Sequence, residues 1–243
     1  MKKTIAAIAL ATATAISMPV IAAYKVIDVA DGGSISGKVN FTGKDKAPQV
    51  YKVVKDTDTC GTENREIDYV DVKDGALRNV VVYLDKVKSG KKFDKIEANI
   101  DQKGCAFIPF MSVMTNDTTF QATNSDPVLH NIHTYEIMGR AKKTVMNVSQ
   151  PKQGSVTKKK VKLKRGAGMK IECDAHDFMH GFVFVAKNPY YAVVAEDGSY
   201  TINDIPAGKY KVKAWHGTLG EQKGNAEVTG GGTATVDFTF KGK

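Results

Sequence analysis

The chain has 243 residues, three cysteines and a formal net charge of +9, a length that suits one large β-domain or two small ones. After the N-terminal segment, no stretch approaches the ~20 apolar residues of a helical membrane span, so no such span is expected in the mature chain. The charge is uneven: between Arg140 and Lys170 there are eleven basic residues and no acidic one.

Lys2 and Lys3 precede an apolar run from Ile5 to Ile16, and Ala22 and Ala23 offer a small-residue cleavage point. This reads as a bacterial secretory signal over residues 1–23, with an uncleaved anchor as the other reading. The mature chain is then expected in the periplasm or otherwise exported, at a net charge of +7 once the two lysines are lost.

Strand patterns follow in order. Ile35, Gly37, Val39 and Phe41 alternate with polar residues, and Val80 to Leu84 is an apolar run suited to a strand buried on both faces. Phe93, Ile96 and Ile100 carry the one hint of a helical turn. Lys158, Lys160, Lys162 and Lys164 line one face of an expected strand. Phe182 to Val185 is a second fully apolar run, and Tyr210, Val212 and Ala214 alternate with lysines. Asp74-Gly75, Asp197-Gly198 and Pro206-Ala207-Gly208 punctuate these runs as turns. The fold class is all-β.

An oxidising compartment pairs thiols, so three cysteines leave one over. Cys60 and Cys105 are the preferred disulfide, because each adjoins a turn-like glycine and neither has a histidine nearby; Cys105 with Cys173 is the competitor. Cys173 stands in "CDAHDFMH", where Cys173, His176 and Met179 form C-x2-H-x2-M. A thiolate, an imidazole and a thioether suit copper better than a hard cation. A second imidazole is available at His130 or His133. These point to opposite faces of a strand, and His130 shares the face of Val128 and Ile132, so His130 is the expected ligand.

The stretches "FIPFMSVMTNDTTFQATNSDPVLHNIH" and "MKIECDAHDFMHGFVFV" resemble the middle and the closing strands of a cupredoxin, with a ligand loop similar to that of amicyanin. The resemblance covers roughly residues 98–187. It implies a Greek-key β-sandwich holding one type 1 copper ion. His130, Cys173 and His176 would be equatorial ligands, Met179 the weak axial one, and Asn131 a brace between ligand loops. The loop departs from the pattern at Ala175, where proline is usual, and at Asp174, where Ser or Thr is usual. An ionised Asp174 near copper would favour Cu(II) and lower the potential. His180, directly after Met179, is a possible competing ligand.

The flanks "GSISGKVNFTG" and "DGSYTINDIPAGKYKV" resemble carboxypeptidase-regulatory-like sandwiches of the Ig/transthyretin kind. That resemblance implies a host domain built from residues 24–97 and 188–243, with residues 98–187 inserted into it; a single irregular sandwich is the other reading. The expected function is electron transfer by an exported, non-enzymatic copper protein. The alternatives are copper binding or trafficking, or a structural sandwich with a vestigial site. The chain carries no H-x-H pair for a copper cluster, nucleophile elbow or phosphate loop. The basic stretch 140–170 is either a solvated edge or a docking face for an acidic redox partner such as a cytochrome or oxidoreductase. Nucleic acid is not expected, since the stretch lacks interleaved aromatics.

Overall fold

A computed structural model describes residues 24–242; the export signal expected over residues 1–23 lies outside the described residues. The chain is all-β, and its longer strands form two sandwiches. Among the described residues there is one helical turn, Thr57–Cys60, and no helix long and apolar enough to cross a membrane.

One sandwich is built from the middle of the chain. Its five-stranded sheet runs in the order Met111–Thr115, His176–Ala186, Gly168–Cys173, His130–Met138, Ala141–Gln150. The facing sheet runs Phe107–Ile108, Ala98–Gln102, Thr118–Asn124, Val156–Val161. Thr118–Asn124 shows how sequence makes such a strand: its residues alternate strictly between buried and half-buried, the period of two that places every second side chain in the core. Phe120 and Ala122 thereby meet Ile132, Met169, Ile171, Val183 and Val185 from the opposite sheet.

The other sandwich joins the two ends of the chain. Gly33–Thr42 pairs antiparallel with Ser199–Ile205 and parallel with Thr233–Thr235 and Phe238–Lys241. Val80–Leu84 pairs with Tyr191–Val193 and with Gly208–His216, which in turn pairs with Gly220–Val228. Its core holds Ile35, Leu77, Val82, Ile202, Val212 and Phe240.

Two apolar runs are explained by where the sandwiches meet. Val183 and Val185 enter the middle-sandwich core, whereas Phe182, Phe184 and Ala186 on the other face join Val81 and Trp215 in a separate cluster. Val80, Val82 and Leu84 likewise face the flanking core while Val81 faces the junction. Each run is therefore buried on both faces. The approach is close enough that a Cβ at Gly168 would lie 2.5 Å from the Trp215 ring, so that position has room only for glycine. Tyr191 packs on Phe184 at this junction, but Tyr190 lies in the flanking core instead.

Two local expectations are corrected. The spacing of Phe93, Ile96 and Ile100 does not form a helical turn: Ile100 lies in Ala98–Gln102 and pairs with Ala122 in a parallel ladder. Pairing with a distant strand outweighs a weak local period. Lys158, Lys159 and Lys160 lie on Val156–Val161, but Lys162 and Lys164 fall beyond the end of that strand, alternating with buried Leu163.

His216 is fully buried at the end of its strand, and its Nδ1 accepts the amide N–H groups of Thr218 and Leu219 at 3.2 and 3.1 Å. Burial lowers its pKa to about 4. The unfolded chain therefore takes up this proton at higher pH than the folded one. Stability should fall as pH drops from about 6.5 to about 4, by on the order of 3 kcal/mol from this group. Denaturant midpoints measured across that window should decline in the wild type. The decline should be clearly shallower in His216→Asn, whose Oδ1 can accept the same amides, with a remainder from His176 and His180, whose pKa values burial also lowers; an equal slope in both proteins would show that other groups set the dependence.

Candidate metal centre

The C-x2-H spacing is the geometry of a tight hairpin. Cys173 ends one strand, His176 begins the next, and the two are cross-strand partners with only Asp174 and Ala175 between them. His130 begins the strand on the other side of Gly168–Cys173, at the same end of the sheet. One mouth of the sandwich thus collects all three side chains, and all three are buried. The Nδ1 atoms of His130 and His176 are 3.2 Å apart, and Cys173 Sγ is 3.8 Å from His176 Nδ1. The two sheets and this cluster at one end make the middle of the chain a cupredoxin-like β-sandwich.

The outer edges of both rings are held. His130 Nε2 lies 2.9 Å from Asp126 Oδ2, and His176 Nε2 lies 2.9 Å from Asp56 Oδ2. A carboxylate is an acceptor, so each ring turns Nε2–H outward and its Nδ1 toward the cluster. Burial lowers the His176 pKa, with the Asp56 hydrogen bond opposing it. Burial also works to raise the Asp126 carboxyl, but the Cys105 amide, the His130 ring and the Gly104 amide overcome it and hold the carboxyl below its ordinary range. The Cys173 thiol is pushed up by burial, against the amides of Ala175, Asn131 and His176.

Two inward Nδ1 atoms beside a buried thiol are a donor set that a metal cation could occupy. The separations fit one: an ion ~2.0–2.3 Å from each of two nitrogens and a sulfur requires donor atoms a little over 3 Å to nearly 4 Å apart, as found here. Two imidazoles with a thiolate favour a soft or borderline metal, copper above all.

The remaining predicted residues take these places. Met179 is buried in the same core. Asn131 ties the His130 strand to the Cys173 hairpin: its N–H donates to Cys173 Sγ at 3.3 Å, and its Oδ1 accepts from the Asp174 N–H at 3.2 Å. His133 is outside the cluster, with Nδ1 at 3.0 Å from Asp174 Oδ1 and the ring stacked on Tyr135. Asp174 is itself half exposed. His180 turns away against Tyr51 and Tyr69, its Nε2 at 2.6 Å from the Asp177 carbonyl oxygen. Cys60 and Cys105 form a disulfide and Cys173 is free, which rules out the Cys105–Cys173 pairing.

Sequence reasoning missed Asp126 and Asp56. Asp126 carries a faint signal, four residues before His130; Asp56 carries none, since it reaches His176 across 120 positions of sequence.

Parts of this chain are similar to solved structures. A purple cupredoxin from Nitrosopumilus maritimus is 21% identical over 37% of this chain and 99% of its own, with a TM-score of 0.31. A copper-containing nitrite reductase from Thermus scotoductus is 15% identical over 40% of this chain and 24% of its own, at 0.31. Amicyanin from Paracoccus versutus is 13% identical over 39% of this chain and 86% of its own, at 0.29. No family model matches the sequence, and no curated protein does.

Proposed function

We propose that this chain is an exported electron-transfer protein with one type 1 copper ion held by His130, Cys173 and His176, and with Met179 as a weak axial ligand. The observation that carries this reading is the convergence of two inward Nδ1 atoms and a buried thiol at one end of the sandwich. Copper in such a set supplies one-electron chemistry. The protein's own contribution is rigidity. Asp126 and Asp56 fix the rings and Asn131 ties the thiol to the His130 strand, so little has to move when the metal's charge changes. Full burial of the three donors favours retention of the metal over its delivery to another protein. Adding Cu(II) to the purified protein should develop an intense visible thiolate charge-transfer band that bleaches and returns on reduction and oxidation. A colourless protein that gives up its metal readily would overturn the reading.

Export is supported by the N-terminal pattern and by the Cys60–Cys105 disulfide, since disulfides persist mainly in oxidising compartments. The strand pairing between the two ends of the chain supports a regulatory-like host sandwich, with the copper sandwich inserted between Leu84 and Tyr191.

The partner is an acidic redox protein. Ala141–Gln150 and Val156–Val161 are edge strands of opposite sheets, and both carry exposed basic residues. Lysine guards sheet edges, but two basic edges also raise a field that steers acidic partners. Replacing Lys158, Lys159 and Lys160 together by Gln should flatten the salt dependence of electron transfer from an acidic cytochrome while leaving the visible band unchanged. Identical salt slopes would assign the lysines to edge protection alone.

A further inference from the structure

The two carboxylates that hold the imidazoles are joined through a single covalent bridge. Asp56 immediately precedes the turn Thr57–Cys60, and its carbonyl oxygen accepts the N–H groups of Thr59 and Cys60 at 3.0 and 2.8 Å. Its backbone is therefore fixed relative to Cys60. Cys60 is bonded to Cys105. On the far side, the N–H groups of Gly104 and Cys105 donate to Asp126 Oδ1 and Oδ2, each at 2.8 Å, and Asp126 holds His130. Arg65 spans the bridge, donating to the carbonyl oxygens of Cys60 and Gly104 at 3.0 and 3.1 Å. The path closes on itself: His176, Asp56, Cys60, Cys105, Asp126, His130, and back across the 3.2 Å gap between the two Nδ1 atoms.

We propose that the Cys60–Cys105 disulfide, acting through Asp56 and Asp126, is a positioning element of the metal centre that sets both imidazoles in the Nε2–H form with Nδ1 inward. Three features separate this from a staple that only stabilises the fold. Asp56 and Cys105 both sit at positive φ, 51° and 55°, a conformation that persists in non-glycine residues when the surroundings impose it. Both cysteines are buried in the core that also contains Cys173 and Met179, so the bridge lies beside the site rather than at a remote edge. Each imidazole has its carboxylate, and both carboxylates depend on the same bond. Carboxylates behind metal-bound histidines typically contribute 10–100-fold in metal affinity, and here one bond supports two.

The proposal rests on the copper reading for its metal arm, and its other arm is independent of metal. In metal-free wild-type protein, nitrogen NMR of the rings should report a proton on Nε2 of both His130 and His176, with slow exchange of that proton. In the Cys60→Ser/Cys105→Ser protein both rings should become tautomeric mixtures exchanging at least tenfold faster, while the His216 ring, in the flanking sandwich, should not change. Asp56→Ala, with the disulfide intact, should release His176 and leave His130 fixed; it also tests the tie if the double serine variant does not fold. Adding Asp56→Ala to the double variant should have no further effect on His176, since the disulfide acts on that ring through Asp56. In copper-loaded protein, loss of metal to a chelator should accelerate 10–100-fold in both variants, with partial recovery in Asp56→Asn. Unchanged ring tautomers in Asp56→Ala, or in a folded double variant, would overturn the proposal even if the wild type binds copper. A wild type without a thiolate band would overturn the copper reading and leave the ring measurements to decide this one.

Discussion

Replacing Cys173 by serine is expected to abolish the visible charge-transfer band outright, because a hydroxyl neither ionises near neutral pH nor supplies a soft donor. Serine can accept the Asn131 N–H that now reaches Sγ, so the fold should survive and the loss can be assigned to the ligand. His133→Ala is the matched control. Its ring faces Asp174 and Tyr135 outside the cluster, and the band should persist. The wild-type site should also load with a definite pH dependence. The buried thiol holds its proton more tightly than a free one, and metal binding must expel that proton. Apparent affinity should therefore fall by about tenfold per pH unit as pH is lowered below the thiol pKa. A serine variant that keeps the band, or a loading curve independent of pH, would remove Cys173 from the site.

Loss of the Cys60–Cys105 bridge is the second large effect. The bond joins residues 45 apart in sequence, and chain-entropy arguments give about 4 kcal/mol for a closed loop of that length. That is a large part of the 5–15 kcal/mol that ordinarily separates folded from unfolded domains. Urea unfolding of the Cys60→Ser/Cys105→Ser protein should show a midpoint lowered by one to several molar, given slopes of about 1–3 kcal/mol per molar. A shift of a few tenths molar would mean that Arg65 and the surrounding core hold Asp56 and the Thr57–Cys60 turn without the bond. This equilibrium measurement is separate from the ring measurements, which concern the site within the folded protein.

Much of the site was legible because it depends on local geometry. C-x2-H brings its two side chains together because two residues are enough to turn a hairpin, and Cys173 and His176 then face each other as ladder partners. The choice of His130 over His133 followed from the alternation of a strand, which turns consecutive residues to opposite faces. The apolar runs Val80 to Leu84 and Phe182 to Val185 announced strands covered on both sides, although nothing in them said that each covers the other's sandwich through Val81, Phe182, Phe184 and Trp215.

What the sequence by itself determined about this protein is therefore what is written within a few residues: strand periodicity, turn positions, the Cys173–His176 hairpin and the excess basic charge. Tertiary structure settled the Cys60–Cys105 pairing that the sequence could only prefer, and it alone decided that Ile100 joins a parallel ladder instead of a helical turn and that Asp56 reaches His176 from 120 positions away. The physical reason is that these contacts have no period. A contact between distant segments depends on where the whole chain brings its backbone together, and a lone aspartate looks the same in the sequence whichever partner it meets.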